Sequence, residues 1–167
     1  HLFGPNPQVF CHVAEVRESG SHESDSGWSI AGIAIWCVTF STWKVRHGIW
    51  LEDLFVRPEA RGLGLGRMLL TEQARIAVER GYHLSFAGPV TFSSAHGLRE
   101  ALAVVPLDRV LVETDAPYLA PHPWRGATNA PFLVPVTVRR MADVLAVDVP
   151  TLCAAIAENS ERLYGPW

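Results

Sequence analysis

Three glycines stand at alternate positions in the segment Arg61-Gly62-Leu63-Gly64-Leu65-Gly66. Because glycine has no Cβ, consecutive backbone N–H groups of such a segment can converge on one anion. A helix that begins where the segment ends adds partial positive charge at the same point. The residue types and their spacing therefore predict a loop that holds a pyrophosphate through main-chain amides.

Two other nucleotide-binding loops fit this segment less well. It does not follow the Gly-x-Gly-x-x-Gly pattern of dinucleotide-binding folds, and no lysine follows it as in a Walker A loop. The structural alternative is an ordinary glycine-rich turn without a ligand.

The residues before the loop predict three strands. Val9–Val16 and Trp28–Phe40 are rich in β-branched and aromatic residues, and the polar segment Arg17–Gly27 between them has the composition of a hairpin loop. Gly48–Val56 predicts a third strand, which Pro58 ends. Four apolar residues fall on both faces of this strand if it is regular, which predicts a central position in the sheet. They are Ile49, Leu51, Leu54 and Val56.

The loop leads into a helix predicted from Gly64 to Arg80, for which Gly81 is a natural C-cap. Short strands and helices then alternate. They are a strand at Leu84–Phe86, a helix at Ala95–Val105, a strand at Val110–Glu113, irregular chain at Ala116–Pro131, and two closing helices, the second from about Pro150 to Leu163. The order β-β-β-α-β-α-β-α-α predicts an α/β fold whose mixed sheet combines antiparallel amino-terminal strands with a βαβ crossover.

Composition narrows the classes of protein. Of the 167 residues, 49% are hydrophobic and 19% charged, and the net charge is −3. These values exclude a disordered tail, and the chain has neither the basic stripe of a nucleic-acid-binding surface nor an apolar run long enough to cross a membrane. Cys11, Cys37 and Cys153 match no zinc or disulfide spacing, which predicts reduced thiols and a cytoplasmic location. The start at His1, without a signal-like segment, predicts a fragment or a trimmed chain.

The glycines lie in a longer pattern, Leu-Glu-Asp-Leu-Phe-Val-Arg-Pro-Glu-Ala-Arg-Gly-Leu-Gly-Leu-Gly-Arg, from Leu51 to Arg67. It resembles the acetyl-CoA signature of the GNAT N-acetyltransferase superfamily, in which Arg/Gln-x-x-Gly-x-Gly/Ala follows the fourth strand. Leu-Glu-Asp, with Phe40-Ser41-Thr42-Trp43 upstream, is similar to the spermidine/spermine acetyltransferase branch. The resemblance runs from Phe3 to Tyr82 and covers about half of that fold, because the family's amino-terminal helices, fifth strand and fourth helix have no counterpart.

This resemblance implies acetyl-CoA as the cofactor. Main-chain groups of Leu54 and Val56 would bind the pantetheine, and the amides from Gly62 to Arg67, in the motif that Arg61 opens, would hold the pyrophosphate.

The resemblance also implies a polyamine or small amine as the acceptor, with Glu52 as the general base and Asp53 meeting the polyamine. A carboxylate must take a proton from the substrate ammonium before the nitrogen can attack a thioester. Because successive residues of a regular strand point to opposite faces, Glu52 and Asp53 cannot share one role. The alternative for Glu52 is a solvated carboxylate at a strand end.

A second pattern follows Tyr82. Glu-Thr-Asp-Ala-Pro-Tyr-Leu occupies residues 113–119, and Arg-Gly at 125–126, Asn129 and the closing run 159–164 follow it. The pattern resembles the last third of the TatD family of metal-dependent deoxyribonucleases.

That second resemblance implies a divalent metal with Asp115 as one ligand at the carboxyl end of a strand, where it orients an attacking water. A divalent cation needs several ligands, and the seven histidines show no ligand spacing, so a bound metal is not expected. The alternative for Asp115 is a carboxylate that caps the turn before Pro117.

The chain is thus identified as a chimera of a partial GNAT-like layer, residues 1–82, and a partial β/α-barrel segment, residues 83–167. The sequence leaves open whether the two segments pack as one domain or as two. A closed barrel needs about 250 residues and is excluded. We predict that Leu84–Phe86 takes the fifth-strand place beside Gly48–Val56, which preserves a right-handed βαβ unit across the junction. Exposed strand edges there would let copies of the chain pair.

Three functions follow from these patterns. The favoured one is an acetyl-CoA-binding, N-acetyltransferase-like protein with impaired or no turnover, because the cofactor loop is whole. The second is a fragment of a TatD-like metal-dependent phosphodiesterase, and the third is a folded chimera without enzymatic activity. Membranes and nucleic acids are not expected partners.

Overall fold

The computed structural model describes residues 7, 9–17, 27–41 and 46–166. The described elements follow the predicted order β-β-β-α-β-α-β-α-α, with bounds that differ from the predicted ones by a few residues. They are β1 (Val9–Arg17), β2 (Trp28–Ser41), β3 (Arg46–Val56), α1 (Leu65–Glu79), β4 (Leu84–Phe86), α2 (His96–Ala103), β5 (Val110–Val112), α3 (Val134–Leu145) and α4 (Val149–Tyr164). Most of the predicted hairpin loop at 17–27, and Trp43 with its upstream neighbour Thr42, lie outside the described residues.

The chain divides into two compact units, residues 1–70 and 71–167. No described helix has both the length and the apolar character that a bilayer-spanning helix needs. No closed barrel forms among the described strands, as the chain length predicts.

The first unit contains an antiparallel sheet in the order β1-β2-β3. The long β-branched and aromatic strand β2 lies in the middle, because both neighbours pair with it. The central position predicted for β3 is therefore wrong: β3 lies at an edge of the sheet among the described strands.

A register shift in β3 explains that error. Trp36 of β2 lies opposite Leu51, whereas Ile35 lies opposite Asp53, so that Glu52 is an additional residue without a partner. Leu54 lies opposite Ala34, the next residue of the Trp36 face. Because residues directly opposite each other share a face, Leu51 and Leu54 lie on one face although they are three residues apart.

A small apolar cluster joins that face of the sheet to the segment around the glycines. Ala31, Ala60 and Leu65 are buried to 1%, 4% and 8% exposure, and they pack together with partly buried Val16 and Val56. The two ends of the glycine segment are thereby anchored in the core.

Helix α1 ends as Gly81 predicts. Gly81 has φ of +77°, and its amide donates to the Val78 carbonyl while the Tyr82 amide donates to the Ala77 carbonyl. This pair of bonds is the Schellman arrangement, which satisfies two carbonyls at the end of the helix.

In the second unit, β4 and β5 form a parallel pair, with Leu84, Ser85 and Phe86 opposite Val110, Leu111 and Val112. The connection through α2 makes this the βαβ crossover of the fold. The prediction that Leu84–Phe86 joins the first sheet beside β3 is wrong, because β4 and β3 belong to separate sheets.

Three helices contribute to the apolar core of this second unit, together with the parallel strands, and each buries the side of the helix that its period predicts. The buried residues are Ala101 and Leu102 of α2, Val138, Met141 and Ala142 of α3, and Leu152 of α4. The irregular segment predicted at 116–131 is confirmed, since no helix or strand begins between Val112 and Pro131.

Candidate functional site

The glycine loop connects the short turn Pro58–Ala60 to α1. Gly62 and Gly64 have φ of +85° and +82°, a region that favours glycine. The loop around them is largely exposed, and the Leu63 side chain is 64% exposed although it is apolar. The loop therefore projects from the two core anchors in a conformation that only glycine adopts without strain.

The loop amides are available to a ligand. The Arg67 and Met68 amides donate to the Gly64 carbonyl, at 3.0 Å each, which marks the start of α1. The amides before them, at Leu65 and Gly66, belong to the first helical turn and have no carbonyl one turn earlier to bond. Together with the positive end of the helix dipole, this arrangement suits an anion.

The outer edge of β3 continues toward this loop. The Arg57 amide donates to the Ala31 carbonyl, at 2.8 Å, so residues of this parity face β2. The N–H and C=O groups of Leu54 and Val56 have the opposite parity and therefore face the open edge of the sheet, which no described strand covers. Arg61 uses one of these groups, since its Nε donates to the Val56 carbonyl at 3.1 Å.

The positive charges near the loop come from three exposed arginines. Arg57 follows β3 and lies 3.6 Å from the Glu59 carboxylate, and Arg61 and Arg67 stand at the start of the loop and in the first turn of α1. The Arg67 guanidinium lies close to Gly64: a Cβ built on Gly64 would be 3.4 Å from the Nη2 atom of Arg67. An excess of positive charge at this point favours a phosphate-bearing ligand.

The two predicted catalytic carboxylates, Glu52 and Asp53, are both exposed on β3. Asp53 pairs with Ile35, whereas Glu52 is the additional residue at the register shift. The regular alternation from which opposite faces were predicted for these residues is interrupted here, since a bulge redirects the side chain of its extra residue. The structure thus places both carboxylates on the same strand as Leu54 and Val56, one to four residues before those two residues.

Asp115, the predicted metal ligand, lies in the second unit just after β5. Its φ is +56°, a region that L residues adopt rarely and that costs about 1–3 kcal/mol. The Tyr118 amide donates to the Asp115 carbonyl at 2.8 Å, which closes a tight turn behind it. Asp115 therefore opens a turn that contains Pro117, and its side chain is exposed. Capping of this turn by the carboxylate stays a prediction.

Asn129 holds this turn in place. It is buried to 4% exposure, and its Nδ2 donates to the carbonyls of Thr114 and Tyr118, on either side of Asp115. Its own amide donates to the Pro117 carbonyl at 3.0 Å. The strained backbone at Asp115 is thus fixed by several bonds to a single side chain and its backbone.

Replacing Asn129 by alanine should loosen the turn around Asp115. The change leaves two carbonyls without their donor, and we expect a loss of about 1–3 kcal/mol of unfolding free energy. Hydrogen exchange at the Tyr118 amide should accelerate, as mass spectrometry of the 114–119 peptide would measure. Thr128→Ala, at the exposed neighbouring residue, is the control. Equal exchange rates in the two variants would contradict this role for Asn129.

A second carboxylate stands beside Asp115. Burial and the nearby Asp115 raise the pKa of Glu113, while a hydrogen bond from the Ser85 side chain opposes the change. Glu113 is tied to β4 by its amide, which donates to the Phe86 carbonyl at 3.1 Å. Partial desolvation beside the parallel pair thus makes this carboxyl easier to protonate than a fully solvated one, although the residue as a whole is exposed.

These acidic residues do not complete a metal site. Within the described part of the chain, no group of three or more His, Cys, Asp or Glu side chains is placed to hold an ion. Asp115 and Glu113 alone do not fit the ligand set that a divalent cation needs.

Three residues of the second unit were assigned no structural or functional role of their own by the sequence interpretation, although two of them belong to the family pattern: Glu113, Asn129 and Gly88. A Cβ at Gly88 would overlap the Leu119 carbonyl oxygen, so glycine is required there by close approach of two backbone segments. The Ala-Gly-Pro sequence at 87–89 marks a turn, but the approach of residue 119 leaves no local signal.

Comparison with known families finds two matches along the chain. The TatD related DNase model matches residues 70–165, and the Acetyltransferase (GNAT) family model matches residues 22–98. Both resemblances that the sequence carries are confirmed, and the two matches, which overlap at residues 70–98 around the predicted junction, are consistent with a chimera.

The curated relatives are proteins of the first family. The metal-dependent hydrolase TatD of Mycobacterium tuberculosis is 44% identical over 92 residues, which are 55% of this chain and 35% of that protein. The metal-dependent hydrolase YcfH of Escherichia coli K12 is 45% identical over 93 residues, 56% of this chain and 35% of that protein. The chain spans about a third of the length of the curated relatives it matches.

Two solved structures of TatD family proteins also match part of the chain. The TatD homolog YJJV of Escherichia coli K12 superposes with a TM-score of 0.55 and 25% identity, over 58% of this chain and 38% of that one. A TatD family hydrolase from Entamoeba histolytica has a TM-score of 0.52 at 15% identity, over 58% of this chain and 40% of that one, and is similar in fold.

Proposed function

The chain belongs to the TatD related DNase family, and we propose that its TatD-like segment is joined to a ligand-binding site of a different family, the glycine loop. In this proposal the loop and the open edge of β3 bind an acyl-CoA thioester, with acetyl-CoA as the expected ligand. One observation carries the proposal: the loop presents main-chain amides on glycines of positive φ, at the start of a helix and at the end of an open strand edge.

The two parts of the site suit the two parts of the ligand. The amides from Gly62 to Gly66 and the first helical turn would hold the pyrophosphate, whose negative charge the helix dipole favours. The outward N–H and C=O groups of Leu54 and Val56 would bond the amides of the pantetheine, as a fourth strand would. Because these contacts use the main chain, they depend on conformation more than on side-chain identity.

The exposed glycines fit this ligand. A Cβ on Gly62 would meet no atom of the protein within 4 Å, so the space above it is open to a phosphate. The neighbouring guanidinium of Arg67 adds a charge-assisted donor on the same side of the loop as Gly64.

An acetyl transfer at this site would need a base. An acceptor ammonium would give its proton to Glu52, the free amine would attack the thioester carbon, and the carbon–sulfur bond would break to leave a CoA thiolate that takes up a proton. Glu52 and Asp53 are both exposed, and charges in contact with water are poorly preorganised for such a step. We therefore propose that the protein binds acetyl-CoA but transfers the acetyl group to a polyamine or small amine slowly or not at all.

A second candidate is a metal-dependent phosphodiesterase fragment. The match over residues 70–165 and the place of Asp115 at the carboxyl end of β5 favour it. Asp115 would be one ligand of the ion, but the described residues do not fit a complete ligand set, and we derive no catalytic step from it.

Calorimetric titration of the full chain separates these functions. We expect heat from CoA and from acetyl-CoA, with one site per chain, and little heat from Mg²⁺ or Mn²⁺. Absence of heat from CoA with a folded protein would overturn the proposal. Metal binding together with cleavage of a phosphodiester substrate would establish the second candidate instead, and silence toward both ligands would leave a folded chimera without activity.

A further inference from the structure

His83 lies immediately before β4, among charged groups at the amino-terminal end of the parallel pair. Asp108 and Arg109 belong to the turn Leu107–Arg109 that enters β5, and Arg162 belongs to the last turn of α4. These three are the charged side chains of the described residues that act on the imidazole. Charged side chains of the turn and of α4 thus act on one titratable ring.

The same place is where α4 is attached. Asn159 of α4 is 1% exposed, and its Nδ2 donates to the carbonyls of Leu107 at 2.7 Å and Val110 at 2.9 Å. Arg162 donates from Nη1 to the Asp108 carbonyl at 3.2 Å. The last turns of α4 are therefore held by side-chain hydrogen bonds to the backbone of residues 107–110. The ring of His83 bonds to the same backbone segment, at Asp108.

The surroundings of His83 favour the neutral imidazole, with one ring proton, over the doubly protonated cation. Its Nε2 atom is sealed from solvent and has no hydrogen-bond partner among the described residues. The bond that the ring makes to the backbone of Asp108 therefore comes from Nδ1. A second proton would have to go to Nε2, where it would find no acceptor and would place a charge near the Arg109 and Arg162 guanidinium groups.

We infer that this cluster is an acid-sensitive latch for the carboxyl-terminal helix: neutral His83 allows α4 to dock on the turn before β5, and protonation of His83 releases it. Release would expose residues such as Leu152 and Val110, both fully buried in the docked form. The inference does not depend on CoA binding, because it concerns the second unit only.

The sign of the pH effect follows from the pKa of His83. Burial lowers this pKa below 6.5, the two arginines lower it further, and Asp108 opposes them. A released form, with the ring in water, has the ordinary pKa and binds more protons below pH 6.5. Docking of α4 is therefore strongest above pH 6.5 and weakens as the pH falls, until the docked ring is protonated as well.

Hydrogen exchange of the full chain tests the latch. Mass spectrometry of α4 peptides at pH 7.5 and 5.5, corrected for intrinsic exchange, should show that the opening constant rises several-fold at the lower pH. One proton limits the rise to about tenfold per pH unit. His83→Gln, which cannot be protonated in this range, should remove most of the rise, whereas His122→Gln, at an exposed histidine, should keep it.

An equal rise in wild type and His83→Gln would overturn the inference. The titration of Glu113, whose pKa is raised at the other end of β5, is common to all variants and cancels in this comparison. Should His83→Gln fail to fold, Arg109→Gln gives a second test. Removal of this charge should raise the pKa of His83 in the docked form, followed by its NMR signal, and should therefore reduce the rise in the opening constant between pH 7.5 and 5.5. An unchanged rise in the opening constant would contradict the latch.

Discussion

Gly64→Ala should weaken CoA binding at least tenfold, while Gly66→Ala should leave it within about twofold of wild type. At Gly64, φ is +82°, where a Cβ costs about 1–2 kcal/mol, whereas its contact with the Arg67 guanidinium at 3.4 Å is one that a flexible side chain accommodates. The loop is exposed between its anchors Ala60 and Leu65, so it should relax to another conformation and turn its amides away from the pyrophosphate. Because about 1.4 kcal/mol corresponds to a tenfold change in affinity, loss of one or two such bonds is sufficient.

Gly66 is a closely matched control. It lies in α1 without a positive φ, and a Cβ there would meet the Val56 side chain at 3.6 Å, an ordinary contact. Alanine is favoured over glycine in a helix by about 0.5–1 kcal/mol, so Gly66→Ala should also be slightly more stable. Calorimetry with CoA measures both affinities, and thermal unfolding verifies that both variants fold. Equal affinities in the two variants would show that the loop is not the ligand site, whether or not CoA binds elsewhere.

Gly88→Ala should be the most destabilising small substitution in the second unit. The added Cβ would overlap the Leu119 carbonyl oxygen and lie 3.0 Å from the Pro121 nitrogen. Both are backbone atoms, so no side-chain rotation relieves the overlap, and the segment would have to move. Overpacking of this kind costs about 1–3 kcal/mol or more, and we expect at least about 3 kcal/mol here.

Nearby bonds restrain that movement. Thr91 accepts from the His122 amide at 2.8 Å and donates to the Gly88 carbonyl at 2.7 Å, which ties the two segments together. Gly126→Ala is the control, because Gly126 has φ of +93° but no protein atom within 4 Å of an added Cβ. It should cost only the backbone strain, about 1 kcal/mol. Urea denaturation followed by circular dichroism measures both, and a similar loss in the two variants would contradict a steric requirement at Gly88.

The order of helices and strands was predictable because each element carries its own local pattern. The apolar period of α2 and α3 faces a core, and Gly81 ends α1, as their sequences indicate. The position of β3 in its sheet was not, because Leu51 and Leu54 three residues apart indicate two apolar faces unless an extra residue intervenes. Glu52 is that residue, and no local pattern distinguishes a bulged strand from a regular one here.

The pairing of β4 was the second feature that local sequence patterns could not predict. A strand of three residues such as Leu84–Phe86 has too few side chains to specify its partner. Its pairing with Val110–Val112 depends on the crossover through α2 and on the helices that bury the pair, which are tertiary interactions. The role of Asn129 was likewise not predictable from local sequence, because its side chain donates hydrogen bonds to carbonyls that are 11 and 15 residues away.

The two family segments and the glycine loop between a strand and a helix were predictable from the sequence, and the candidate ligand-binding residues of the loop stay predictions. These features follow from short-range chemistry, namely residue type and spacing. Only the packed chain reveals that Leu54 and Val56 direct main-chain groups to a sheet edge that no described strand covers, and that Glu52 is the extra residue of a bulge. It also reveals that Asn129 holds the turn at Asp115 and that Asn159 attaches the last helix to the segment before β5. The reason is physical: hydrogen bonds and burial between distant segments depend on register and packing, which local preference leaves open.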